Sequence, residues 1–252
     1  MDRDKLLNLG TDLGRGLMLC GAEIYRVEES VNRLLTAYGL EPEVFALPAC
    51  LIVSVTAPDG TPLTRMCRIP PHGTNIELLE QYNDLCRRLC RSPIPVEEAR
   101  AELDRLAAVT PRHSVPVTLL GYAATAAFFT LFFGGGLLDF LAAALCGVAV
   151  GLSVLHGRRI IGPNAFLRTT LSAAVAAGLA LILVPLGLGR DPDCIIIGTL
   201  MLLVPGMALT NAMREIMVGD IFSGLSRTSE AMLTAAAIAL GTAIPVLISG
   251  LY

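Results

Sequence analysis

Between residues 204 and 227 the chain reads VPGMALTNAMREIMVGDIFSGLSR, and its polar groups are ordered in a way that could do binding chemistry. Pro205 and Gly206 interrupt an uncharged apolar run over residues 195–212 near its middle. Thr210 and Asn211 follow roughly one turn later, and then Arg214, Glu215, Asp220 and Arg227. A helix in a bilayer tolerates a Pro-Gly break only where neighbouring helices or trapped water satisfy the freed backbone groups. Such breaks often build substrate sites at mid-depth. An Asn inside an apolar span is costly unless it is partnered or wet. The forked guanidinium of Arg214 suits a carboxylate, and Asp220 suits a cation, so the pattern reads as an inner gate with Glu215 between them. A plain kink followed by ordinary interfacial charge is the alternative, with Glu230 placed to pair with Arg227.

A second charged cluster lies in GAEIYRVEE, where Glu23, Arg26, Glu28 and Glu29 crowd together. Glu23 with Arg26 and Glu29 with Arg33 have helix-surface ion-pair spacing; an assembly or gating surface facing the membrane half is the other reading. Catalysis is poorly supported. The chain has no GxxxxGK, GxSxG, HExxH or EF-hand pattern, and His72, His113 and His156 are isolated. Cys86 and Cys90 lie one helical turn apart without a His or a second Cys pair, so no metal or other cofactor is expected, and the seven cysteines read as reduced structural thiols. No expected span carries a carboxylate at its midpoint. An ion-coupling group would therefore sit near the break, at Asp220, or on another chain.

The positioning elements divide between two solvents. Of the 252 residues 54% are hydrophobic and 16% charged, against about 25% charged in a soluble domain, and the mean hydropathy is +0.64. A net charge of −3 gives nucleic acid no purchase, and the charged start MDRDKLLNLG lacks the apolar core of a cleavable signal peptide. Every long apolar run falls after residue 114, which puts the boundary between a small cytosolic α/β domain (1–112) and a membrane domain (113–252) at a hinge over Thr110-Pro111-Arg112-His113.

In the first half, apolar residues recur at steps of three and four from Leu6 to Tyr38, predicting one long helix closed by Gly39 and Pro42. Gly10, Gly14, Gly16 and Gly21 within it imply a backbone packed closely on another element. Residues 44–56 and 62–69, around Pro58-Asp59-Gly60, predict a β-hairpin. Residues 75–89 and 95–108 predict two helices.

The second half predicts an α-helical polytopic membrane protein with five transmembrane helices, at residues 115–133, 137–155, 169–188, 195–212 and 232–251. Arginine alternates between the loops: Arg100, Arg105 and Arg112 precede the first span, Arg158, Arg159 and Arg168 follow the second, and Arg214 and Arg227 follow the fourth. Positive-inside counting puts the N-terminus in the cytoplasm and Tyr252 outside. Gly147 and Gly151 form a GxxxG step, and Ser172, Ala176 and Ala180 a row of small residues. Both suit a helix–helix or oligomer interface.

Three stretches resemble the threonine/serine exporter family, in its two-component branch. GLMLCGAEIYRVEESVNRLLTAYG (16–39) is similar to the family's opening helix, VPGMALTNAMREIMVGDIFSGLSR (204–227) to its second hallmark, and SEAMLTAAAIALGTAI follows as its last helix does. Glu215 departs from the Asp expected there. The resemblance covers nearly the whole chain. It implies a subunit of a secondary exporter in the inner (plasma) membrane of a prokaryote, with a smaller YjjB-type membrane subunit as partner. The cargo it implies is a small hydrophilic carboxylate, threonine/serine or a succinate-like dicarboxylate. A non-transporting scaffold or regulatory subunit is the alternative, and an intramembrane or cytosolic hydrolase a third reading that lacks a nucleophile–base pair.

Overall fold

The computed structural model describes residues 2–57, 60–108 and 113–250. The turn at Pro58-Asp59, the hinge residues 110–112, the side chain of Arg158 and the C-terminal Tyr252 lie outside the described residues. The chain forms two compact units, Met1–Arg112 with Thr210–Arg227, and His113–Leu209 with Thr228–Tyr252.

The first unit holds α1 (Arg3–Leu19), α2 (Ile24–Ala37), β1 (Pro42–Leu47), β2 (Cys50–Thr56), β3 (Pro62–Arg68), α3 (Ile76–Arg91) and α4 (Val96–Ala108). The helix expected over 6–38 is therefore two helices. The apolar period continues across the join, but Gly21 adopts φ +86°, a left-handed conformation that only glycine enters cheaply. Ala22 N–H then turns back to Leu17 O at 3.1 Å and closes α1. The expected hairpin is a three-stranded antiparallel sheet ordered β1-β2-β3, because the run over 44–56 reverses between the paired Leu47 and Cys50. Alternate residues Leu51, Val53 and Val55 of β2 are buried and meet Leu6, Leu9, Leu13 and Leu17 of α1 in one core. Each fully buried side chain of this size contributes about 1.5–3 kcal/mol. The small residues of α1 have the expected reason: a Cβ on Gly14 would collide with Leu51 and Val31, and one on Gly16 with Tyr82.

The second unit holds α5 (Val115–Phe132), α6 (Leu137–Ile160), α7 (Ala165–Leu183) and α8 (Pro192–Leu200); α9 (Gly206–Val218) and α10 (Ile221–Ser249) run through both units. Among the described residues, four helices are long and apolar enough to cross a membrane: α5, residues Leu137–Gly157 of α6, α7 and α10. The remaining expected span, 195–212, is not a continuous helix. It is α8 followed by the start of α9, and between them the ladder tightens into turns, Leu202 N–H to Thr199 O (3.2 Å), Leu203 N–H to Leu200 O (2.9 Å) and Gly206 N–H to Val204 O (2.9 Å). Pro205 has no N–H to give and disfavours helical backbone in the residue before it. Beside this break, Leu200, Val204 and Pro205 line a 470 Å³ open groove whose other wall is Ala235, Ile238, Ala239, Thr242, Ala243 and Val246 of α10.

Small side chains bring these helices together. Ala126, Ala142, Ala143, Cys146, Ala177 and Ala180 form the buried centre. A Cβ on Gly147 would lie 2.5 Å from Tyr122 O, and one on Gly151 2.9 Å from Leu119. The GxxxG step thus serves contact with α5 inside the chain. Gly147→Val is expected to destabilise this unit by about 1–3 kcal/mol through overpacking, read as a lower Tm of the detergent-solubilised chain; an unchanged Tm would mean that α5 does not pack there. Asp139 ties two loops together, accepting from the backbone N–H of Gly136 (2.8 Å), Arg190 (2.6 Å) and Asp191 (3.0 Å).

Candidate functional site: a buried charge cluster at the start of α2

An α-helix opens with N–H groups that have no partner inside it. The N-cap residue of α2 is Glu23, and its side chain makes no capping bond. The missing acceptor comes from a residue 191 positions away: Ile24 N–H donates to Glu215 Oε1 at 3.1 Å. Glu215 is fully buried, and its charge is well matched to the positive end of the α2 dipole. It sits on the last turns of α9, where Gly219 at φ +102° turns the chain. Asp220 N–H then closes on Glu215 O at 2.9 Å, and Asp220 Oδ1 accepts from Ser223 N–H at 3.2 Å to cap α10. The corner is tight: a Cβ on Gly224 would approach Ala212 O to 2.8 Å.

Two arginines complete the cluster. Arg227 Nε lies 3.1 Å from Glu215 Oε1, with the Arg227 side chain 15% exposed, while its Nη2 donates to Ala22 O at 2.9 Å. Arg214 Nη1 donates to Glu23 Oε1 at 2.9 Å, and Arg26 Nε lies 3.5 Å from Glu23 Oε2. Farther along α2, Glu28 Oε1 accepts from Ala46 N–H of β1 at 2.7 Å. Three buried atoms among the described residues have no hydrogen-bond partner, Glu215 Oε2, Ser223 Oγ and Arg227 Nε, and all belong to the α9–α10 segment. Burial pushes the Glu215 carboxyl above its ordinary value of 4.5, with Asp220 and Glu23 adding to the shift, while Ile24 N–H and Arg227 oppose it. Burial likewise raises Glu28, reinforced by Asp220.

These shifts have a sign for stability. A carboxyl raised in the folded state holds its proton to higher pH than it does in the unfolded chain. Its contribution is fully present below the ordinary 4.5 and is lost as pH rises through the raised folded values of Glu215 and Glu28. Glu215→Gln and Glu28→Gln are each expected to flatten the fall of Tm with pH across that window. Equal slopes in wild type and variants would count against the shifts.

Residues that looked like separate clusters thus meet in the first unit. Glu23, Arg26 and Glu28 from GAEIYRVEE stand with Arg214, Glu215 and Asp220. Pro205 and Gly206, at the break, belong to the second unit. On the turn after the break, Thr210 is exposed and Asn211 half-buried. Sequence reasoning missed Arg227 as the partner of Glu215, pairing it with Glu230, which is exposed. The cysteines behave as structural groups: burial lifts the Cys20 thiol to about 11 and the Cys86 thiol to about 12, far from thiolate chemistry at neutral pH.

Comparison with known proteins agrees with the sequence motifs. The family model of threonine/serine exporters matches residues 8–248. The probable threonine/serine exporter of Mycobacterium tuberculosis is 26% identical over 246 residues, 95% of this chain and 45% of its own. The chain therefore spans about half the length of that relative. The probable succinate transporter subunit YjjP of Klebsiella aerogenes is 26% identical over 239 residues, 93% of this chain and 90% of its own. Pheromone-regulated membrane protein 10 of Saccharomyces cerevisiae is 25% identical over 223 residues, 84% of this chain and 28% of its own. No solved structure matches. With four apolar helices of spanning length among the described residues and a family model that covers nearly its whole length, this is a membrane protein, and it belongs to the threonine/serine exporter family, a family of transporters rather than enzymes.

Proposed function

We propose that the chain is one subunit of a two-component secondary exporter that carries a small hydrophilic carboxylate, threonine/serine or a succinate-like dicarboxylate, out of the cytoplasm. The observation that carries this reading is the α8–α9 break at Pro205-Gly206, which leads within three turns into the buried cluster around Glu215. On this reading the broken pair α8–α9 is the fourth of five crossings. The arginine-rich loops support a cytoplasmic first unit and an outer C-terminus; the polar stretch from Thr210 to Arg227 then faces the side from which an exporter loads. Residues 1–112 then act as the cytosolic domain and residues 113–252 as the membrane domain.

Two considerations support a partner of the YjjB type. The Klebsiella relative, matched over 90% of its length, is named as a transporter subunit. The groove beside the break has one polar side chain, Thr242, and a hydrophilic cargo crossing there needs polar surface from another chain. Efflux of labelled threonine and of labelled succinate, from cells making the chain with its partner, tests the reading and separates the two substrates. Export of both compounds at the rate of cells lacking the chain would sink it. If efflux persists undiminished in Arg214→Ala, the cargo does not depend on Arg214, and the scaffold reading gains.

A further inference from the structure

We propose that Glu215 is a proton-binding site of the transport cycle, and that a proton on its Oε2 loosens the hold of α9 and α10 on the Ala22–Ile24 turn. The inference rests on the exporter reading for its role, but its geometry stands by itself. Glu215 Oε1 takes both partners, Ile24 N–H and the Arg227 guanidinium, each at 3.1 Å. Oε2 is buried with no hydrogen-bond partner. A proton from water can therefore form an O–H bond on Oε2 while every existing bond stays in place, and the carboxyl goes from −1 to neutral. Among the described residues no other carboxylate combines these properties. Glu23, also buried, has both of its oxygens committed to arginine, and Asp139 is filled by three backbone donors.

The consequence of protonation follows from what Glu215 does when charged. It caps α2 from outside that helix and neutralises Arg227, which in turn holds Ala22 O at 2.9 Å. A neutral carboxyl is the weaker acceptor for Ile24 N–H, and it leaves the Arg227 charge without its counter-ion. Every charged group facing the site shapes this balance. From α2 and its cap come Glu23, Arg26 and Glu28, from α9 Arg214, from the corner Asp220, and from α10 Arg227. Asp220 and Glu23 disfavour a second negative charge beside them and so favour the proton; Arg227 favours the charge. Burial raises the affinity of the carboxyl for its proton above that in the unfolded chain, and Ile24 N–H and Arg227 oppose that rise. A loosened state that keeps Glu215 buried but gives up these two partners therefore binds the proton more tightly than the docked state, and the proton favours it.

Two measurements on the full chain in lipid nanodiscs test this without any need for transport. Infrared difference spectra recorded across a pH series are expected to show a protonated carboxyl band that titrates above the ordinary carboxylate range. Glu215→Gln should remove the Glu215 share of the band and leave that of Glu28, which burial also raises. In Glu215→Asp the lost share should reappear at a shifted pH. Amide exchange of the peptide containing Ile24, corrected for its intrinsic rate, should rise as that band grows in wild type. In Glu215→Gln it should be independent of pH. A wild-type band series unaltered by Glu215→Gln, or Ile24 protection that ignores the band, would overturn the proposal. Wild-type efflux at background with both signals present would remove the exporter reading and leave the proton site standing. Where wild type exports, Glu215→Gln is expected to lose net export driven by a pH gradient; gradient-driven export at the wild-type rate would also overturn the proposal.

Discussion

Arg227→Ala is expected to cost the chain about 3–5 kcal/mol, the penalty for stranding one member of a buried ion pair. The size follows from what stays behind. Glu215 is fully buried, so removing the guanidinium 3.1 Å from its Oε1 leaves a carboxylate without its counter-charge. Ala22 O loses its donor at the same time. Compare Arg33 and Glu29, an i,i+4 pair whose side chains are 71% and 51% exposed. Such a surface pair contributes about 0.3–0.5 kcal/mol, and Arg33→Ala should hardly move Tm. The two substitutions, measured by thermal unfolding of the purified full chain, thus differ by nearly an order of magnitude if the α9–α10 segment is held as described. Similar small losses from both would mean that the segment is not docked on the start of α2. The paired replacement Glu215→Leu with Arg227→Met should recover much of the lost stability, because a buried ion pair replaced by apolar groups of similar size is often neutral or stabilising. It should not recover export. Recovery of both would show the pair to be structural alone.

How much of this was legible in the sequence divides along physical lines. Period and composition are local, so the apolar spans α5, α6, α7 and α10, the small residues packed along α1, and the break at Pro205 could all be read from the chain. The join between α1 and α2 could not, because the apolar stripe runs unbroken through Leu17, Cys20, Ile24 and Val27, and one left-handed glycine among four glycines carries no separate mark. The reversal between β1 and β2 was hidden for a related reason: both strands are rich in apolar and β-branched residues, and the turn at residues 48–49 is short. The site itself was half visible. Its residues were singled out as two charged clusters, but nothing local says that Glu215 caps a helix 191 residues upstream. Such a contact is set by tertiary packing, and its only trace in the chain is negative, a helix that starts at Glu23 without a capping Ser, Thr, Asp or Asn.

Pro205→Leu is expected to fuse α8 with α9 and to reduce export at least about tenfold while leaving the first unit folded. Three features hold the two helices apart. Pro205 offers no N–H, it disfavours helical backbone at Val204, and the turn bonds at Leu202, Leu203 and Gly206 replace the regular ladder. Removing a proline from a helical run lowers the free energy of the continuous helix by about 3 kcal/mol, which corresponds to roughly a hundredfold shift in population. Gly206 remains in the variant and withholds about 1 kcal/mol of helix propensity, so the shift is decisive without being total. The substituted leucine also enters the groove beside Ala235 and Ala239 of α10, which is open enough to take it. Amide exchange over residues 201–206 reports the fusion directly, and efflux from cells making the chain with its partner reports its consequence. Slowed exchange with undiminished efflux would separate the break from transport, because the helix would then have been mended without cost to the cargo. Unchanged exchange would mean that packing around Leu200 and Val204, rather than the proline, sets the break. Slowed exchange with lost efflux, and with the Tm of the first unit intact, would tie the interruption at mid-span to the passage of substrate, since a continuous apolar helix has no backbone groups to offer it.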